Sequence, residues 1–176
     1  MLSKEKGVGK MTRHLLLFCC AIAVASSAVA QTKFSGTMEC GKANSTYTIQ
    51  IPEQKGSSYA ITESKCTWTK PFTAAGTEAT QNDGVDFTET RGDSVTGNST
   101  GVTYHRNGDK MFHKGTFTFD PKTMISSGTW TFVGGTGKFQ GIKGGGTSSC
   151  KSKSTDPDAE ATCEVKGEYT LPAAKK

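Results

Sequence analysis

Apolar and polar residues alternate along much of the chain with a period of two, the mark of half-buried strands. Met111, His113, Phe117 and Phe119 fall on one face of a segment whose other face holds Lys114, Thr116 and Thr118. Trp130 and Phe132 alternate with Thr129, Thr131 and Val133. Tyr47, Ile49 and Ile51 alternate with Thr48 and Gln50, and Val165, Gly167 and Tyr169 with Lys166, Glu168 and Thr170. Turn residues separate these runs. They are Pro52 to Gly56, Asn82-Asp83-Gly84, Asn107-Gly108-Asp109, Asp120-Pro121-Lys122 and Asp156-Pro157-Asp158. Asn107-Gly108, between two strand-like runs, is the strongest hairpin signal. The pattern predicts eight strands near 33–40, 45–51, 58–69, 84–90, 99–106, 110–119, 124–133 and 160–170. A short ninth falls near 144–151, and 71–82 is the weakest segment.

The start of the chain breaks this pattern. Lys4, Lys6, Lys10 and Arg13 precede an apolar run from Leu15 to Ala25, and Ala28-Val29-Ala30 supplies small residues for cleavage. Such an order reads as a secretory signal peptide over 1–30, with Gln31 as the mature N-terminus. Met11 serves equally with Met1 as a translation start, since Arg13 remains. The apolar run is shorter than the ~20 residues that span a bilayer, so no transmembrane anchor is expected. Cys19 and Cys20 leave with the leader, and Phe18 stands where a lipoprotein signal needs a small residue.

Removing 30 of 176 residues leaves 146, residues 31–176, expected to form a single domain. The leader takes four of the 21 basic residues and one of the 16 acidic ones, so the net charge falls from +5 to +2. No basic run interleaves with aromatics, which argues against a nucleic-acid partner. Leu171 is the only leucine left, against 25 threonines and 19 glycines, a composition that excludes a helical protein. Four cysteines remain: Cys40, Cys66, Cys150 and Cys163. An even count in an exported chain predicts two disulfides. Of three connectivities, Cys40–Cys66 with Cys150–Cys163 is favoured, because each pair flanks a hairpin-sized segment.

Short antiparallel strands must hide their edges, and closing into a barrel removes the edges altogether. With so few apolar residues, a small barrel fits better than a two-sheet β-sandwich, which is the alternative. The stretch from Gly128 to Gly146 is the densest in glycine. A phosphate loop fails there, because Phe132 stands five positions before Gly137 and Phe139 follows Lys138. The glycines read instead as a tight corner between strands.

That corner carries a resemblance. Gly128-Thr129-Trp130, Gly134-Gly135-Thr136-Gly137-Lys138-Phe139 and Gly141-Ile142-Lys143-Gly144 resemble the glycine corner of allene oxide cyclase and dirigent barrels. The chain also resembles small exported bacterial proteins that share this corner and a segment like Lys65-Cys66-Thr67-Trp68-Thr69-Lys70-Pro71. The resemblance implies an antiparallel eight-stranded β-barrel with a cavity. It carries over no catalytic residue, because the polar groups that act in those enzymes lie outside the shared corner.

Alternation turns His113 into the barrel with Phe117 and Phe119, making it the first candidate for a general base or ligand-orienting group. Glu63 is the second catalytic candidate. Phe117, Phe119, Trp130 and Phe132 join His113 as candidate ligand-binding residues. His105 lies across the Asn107-Gly108 turn from His113, but two histidines without a placed carboxylate make a poor metal site. Glu63, Asp86 and Glu89 lie on expected strands and could pair for acid-base work, but outward, solvated positions are the favoured reading, and Arg91-Gly92-Asp93 reads as an ordinary turn. Asn44-Ser45-Thr46 and Asn98-Ser99-Thr100 are glycosylation acceptors only in a host that glycosylates exported chains. No cofactor is expected. The leading reading is a periplasmic or secreted, non-enzymatic barrel holding a small apolar or amphipathic ligand. The alternatives are a cyclase- or isomerase-type enzyme, or a solid barrel acting as a protein-interaction module.

Overall fold

The computed structural model describes residues 31–156 and 158–173. The expected leader, with Cys19 and Cys20, lies outside the described residues, as does Pro157 of the last turn. Ten strands follow in order: β1 (Thr32–Cys40), β2 (Ser45–Gln50), β3 (Ser57–Lys70), β4 (Thr73–Ala74), β5 (Thr77–Arg91), β6 (Ser94–His105), β7 (Lys110–Asp120), β8 (Ile125–Gly135), β9 (Lys143–Ser152) and β10 (Ala161–Thr170). A single 3-10 turn, Gly137–Phe139, sits between β8 and β9.

Every pairing is antiparallel. Neighbours run β3-β1-β10-β9-β8-β7-β6-β5, and a further β3–β5 ladder from Ser57↔Arg91 to Thr67↔Gln81 joins the two ends. The sheet is therefore a closed eight-stranded barrel, as expected, and not a two-sheet sandwich. β2 and β4 are appendages. β2 pairs with β3 alone, continuing the edge of β3 beyond the point where β1 leaves it. β4 pairs only with the start of β5.

Two expectations are corrected. Asn82-Asp83-Gly84 is not a turn but the middle of β5, and the weak segment over 71–82 holds β4 and the beginning of β5. Gly84 pairs with Gly101 in extended conformation, and the Asn82 side chain is spent inside the barrel instead of on a local turn. The real reversal between β5 and β6 is Gly92-Asp93, so Asn98 lies within a strand and not in a loop. The Asn107-Gly108 hairpin forms as expected, with Gly108 at φ +85°.

One end of the barrel is plugged. Phe139, Met111 and Ile142 are fully buried there, with Phe72, Ala74, Ala79 and Tyr169 around them. The glycine corner inserts the plug. Gly137 adopts φ +51° beneath the Asp109 carboxylate, which accepts the Lys138 N–H at 3.0 Å. Thr136 Oγ1 accepts the Lys110 N–H at 2.9 Å. A carboxylate of the chain's own thus caps this loop, and Phe139 is driven inward behind it.

Both expected disulfides form, Cys40–Cys66 and Cys150–Cys163. Each staples directly paired residues, Cys40↔Cys66 across β1 and β3 and Cys150↔Cys163 across β9 and β10. The two lie side by side, with Cys40 Sγ 3.9 Å from Cys163 Sγ.

Large inward rings lie on neighbouring glycines. A Cβ added to Gly167 would stand 2.8 Å from the Trp130 ring, and one on Gly146 would meet both that ring and the Lys166 carbonyl. Gly97 lies likewise under Phe117 and Gly36 under Trp68. Gly167→Ala is expected to destabilise the fold by about 1–3 kcal/mol through overpacking. Part of that loss should vanish in a Trp130→Phe background, as a double-mutant cycle of urea unfolding would show. Simple additivity would contradict the contact.

Candidate functional site

The opposite end of the barrel is open. A cavity of about 500 Å³ descends from it, within the range of small-molecule sites. Its floor is aromatic. Phe34 stacks on Phe72 at 4.2 Å between ring centres, Trp68 meets Phe72 edge-on at 5.0 Å, and Trp130 meets Phe132 edge-on at 5.0 Å. The disulfides form part of one wall, and Phe117 and Phe119 part of another.

Of the six candidates, His113, Phe117, Phe119, Trp130 and Phe132 all line this cavity. Glu63 does not. It faces outward and accepts the Ser45 hydroxyl at 3.2 Å, because inward positions on β3 fall at even numbers through Ala60, Thr62 and Ser64. Glu89 also faces outward and holds the Tyr59 hydroxyl and Arg91.

Asp86 corrects the expectation that it is solvated and outward, for it lines the cavity. The misreading has a physical origin. Val85 and Phe87 flank it, and amphipathic alternation would bury them and expose Asp86. Here the faces are inverted. Val85 and Phe87 stay 48% and 44% exposed on the outside, while Asp86 and Thr88 turn inward.

His113 does not stand near His105. It pairs with Gly101, whereas His105 is buried in the plug, its ring 4.4 Å from that of Phe139. Nδ1 of His105 lies 3.3 Å from the Thr77 carbonyl. Among the described residues no group of three metal-ligating side chains comes together. Instead His113 belongs to a polar trio. Asn82 Oδ1 accepts from Thr103 Oγ1 at 2.9 Å and lies 2.9 Å from His113 Nε2. With the amide oxygen already an acceptor, the proton belongs on Nε2, and Nδ1 is left as an acceptor.

Burial pushes the His113 imidazole down to about 4, so at neutral pH it is uncharged and a feeble base. Burial pushes the Asp86 carboxyl up to about 6. Of the two, Asp86 lies nearer the range that neutral-pH proton transfer requires. The Trp68 and Trp130 indole N–H groups are buried beside the cavity without a protein acceptor. Asn82 and Thr103 escape sequence reasoning, and Asp86 reads as outward, because these residues sit in segments whose apolar face points outward or whose middle looks like a turn.

No family model and no curated protein matches the chain. Among solved structures it is similar to the pterocarpan synthase dirigent protein GePTS1, at 12% identity and a TM-score of 0.48 over 83% of this chain and 89% of that one. It is similar also to the pterocarpan synthase dirigent protein PsPTS1, at 15% identity and a TM-score of 0.47 over 82% and 97%. The closed antiparallel barrel itself is given by the strand register described above.

The two titrating groups in the cavity oppose each other. Between pH 4 and 6.5 the unfolded chain protonates the histidine and the folded one does not, so His113 makes stability fall as the pH drops. Between about 4 and 6 the folded chain holds a proton on Asp86 that the unfolded chain has lost, so Asp86 makes stability rise as the pH drops. Relative to wild type, Asp86→Asn should therefore lose more stability on acidification from pH 6.5 to 4, and His113→Gln less. Urea midpoints measured across that window check both signs.

Proposed function

We propose that this chain is an exported barrel that binds one small apolar or amphipathic molecule in its open cavity. The observation that carries the reading is the cavity itself: an aromatic floor below a band of hydroxyls, open to solvent at one end. Two cross-strand disulfides suit an oxidising compartment, and the basic, apolar and small-residue order of 1–30 supplies an export signal. Periplasm or secreted medium is the destination.

Trp68 and Trp130 are the only tryptophans of the chain, and both line the cavity, so their emission reports its occupancy. Native mass spectrometry of the mature protein from its own host should show a stoichiometric small molecule that denaturation releases. Readdition of that molecule should then shift the tryptophan emission saturably. A clean apo mass together with no fluorescence response to apolar probes would remove the reading.

A specific observation favours a second role, association through the outer wall. Tyr47 and Ile49 on β2 are 72% and 70% exposed, and Ile61, Val85 and Phe87 continue the same face across β3 and β5. Among the described residues the outer edge of β2 has no partner, and Ser45–Gln50 carries no charge to guard it. A second copy fits that edge. An antiparallel match centred on Thr48 sets each Tyr47 opposite the other Ile49 and joins the two apolar faces. The solid interior expected of an interaction module is contradicted by the cavity, yet the exposed patch is present. Sedimentation velocity should show a dimer that Tyr47→Lys converts to monomer. A monomeric wild type would dismiss this role.

A further inference from the structure

The cavity is lined by three acids, Asp86, Asp93 and Asp156, and, among the described residues, by no lysine or arginine. That is the reverse of the chain as a whole, whose 21 basic residues outnumber its 16 acids. Six of the basic side chains are engaged elsewhere. Lys42, Arg91, Arg106 and Lys153 pair with surface acids, and Lys138 and Lys151 donate to backbone carbonyls.

Asp86 stands deepest of the three acids. It pairs in register with Thr62 and Ser99, and the same row of partners continues through Gly115 to Trp130. Among the described residues its carboxylate has no hydrogen bond and no ion pair. His113, which also lines the cavity, is uncharged at neutral pH and committed to Asn82, so it supplies no cation. A carboxylate without a cation inside a mostly closed wall gains most from a ligand that brings a positive charge and N–H donors. The aromatic rings below it favour a cation nearby and an apolar body against their faces.

We propose that the cavity selects ammonium-bearing amphipathic molecules, the cation held at Asp86 and the apolar body on the Phe34–Trp68–Trp130 floor. This rests on the ligand-binding reading above and narrows it. Anionic amphiphiles of the same shape, fatty acids among them, are disfavoured by the same three carboxylates, with Asp93 and Asp156 screening the mouth.

The test uses one apolar body with three head groups: 2-(1-naphthyl)ethylamine, 2-(1-naphthyl)ethanol and 1-naphthylacetate. Binding to the mature protein is followed by calorimetry at pH 7.5, above the value of about 6 to which burial raises Asp86. The amine should bind about tenfold or more tighter than the alcohol, the scale of one charged hydrogen bond, and the acid weakest. Asp86→Asn should erase the amine's advantage over the alcohol, and Asp93→Asn should narrow it only slightly. Near-ultraviolet circular dichroism checks that both variants keep the native packing. An alcohol that matches the amine, or an amine preference that survives in Asp86→Asn, overturns the charge selection and leaves the binding barrel standing. If none of the three binds, both readings fall.

Discussion

Broad aromatic side chains lying against glycine backbone hold the interior of this barrel together. A barrel of eight strands leaves limited room along its axis, and a ring turned inward must lie along the wall or collide with its opposite. It can lie along the wall only where the next strand has no Cβ. Trp130 uses Gly146 and Gly167 in this way, Phe117 uses Gly97 and Trp68 uses Gly36. The glycine run of β9 and the single glycine of β10, Gly167, therefore serve packing. Leucine is dispensable because the core cluster holds seven rings that supply the apolar mass instead, and the plug of Phe139, Met111 and Ile142 closes the lower end.

That economy explains why a cavity survives. Rings pressed against the wall and gathered at one end leave the other end open, and that end is walled largely by threonine and serine, with the carboxylates of Asp86, Asp93 and Asp156. The longest strands, β3 and β5, extend past the plug to form this upper wall, and β2 lengthens it further. There the usual polarity is inverted, with hydroxyls and Asp86 inside and Tyr47, Ile61 and Phe87 outside. One strand arrangement thus yields a polar-walled chamber within and an apolar face without, so the two proposed roles share one cause.

Much of this was legible in the chain. Threonine and aromatic alternation marked β7, β8 and β10, Asn107-Gly108 marked their hairpin neighbour, and cysteine spacing marked both disulfides. The inward set of His113, Phe117, Phe119, Trp130 and Phe132 followed from parity, since these strands bury the side that looks apolar. The same rule failed on β5. Val85 and Phe87 look like core and Asp86 like surface, and Asn82-Asp83-Gly84 looks like a turn, because local chemistry cannot register that the barrel's centre at that height is a cavity and not packed side chains. Glu63 failed as a site for a simpler reason: it lies at an odd position on β3, whose even positions point inward.

The sequence by itself determined an all-β chain, most of its reversals, its two staples and the tight glycine corner, because each depends on residues close together along the chain. Tertiary structure alone decided which strands close on one another, that the β3–β5 ladder completes the ring, and that the interior is full at one end and open at the other. It also decided the company each polar group keeps. Asn82, Thr103 and His113 meet only once β5, β6 and β7 are aligned in register. Asp86 becomes an unpaired carboxylate in a chamber only when eight strands enclose it, for burial and desolvation belong to the closed wall and not to any segment of it.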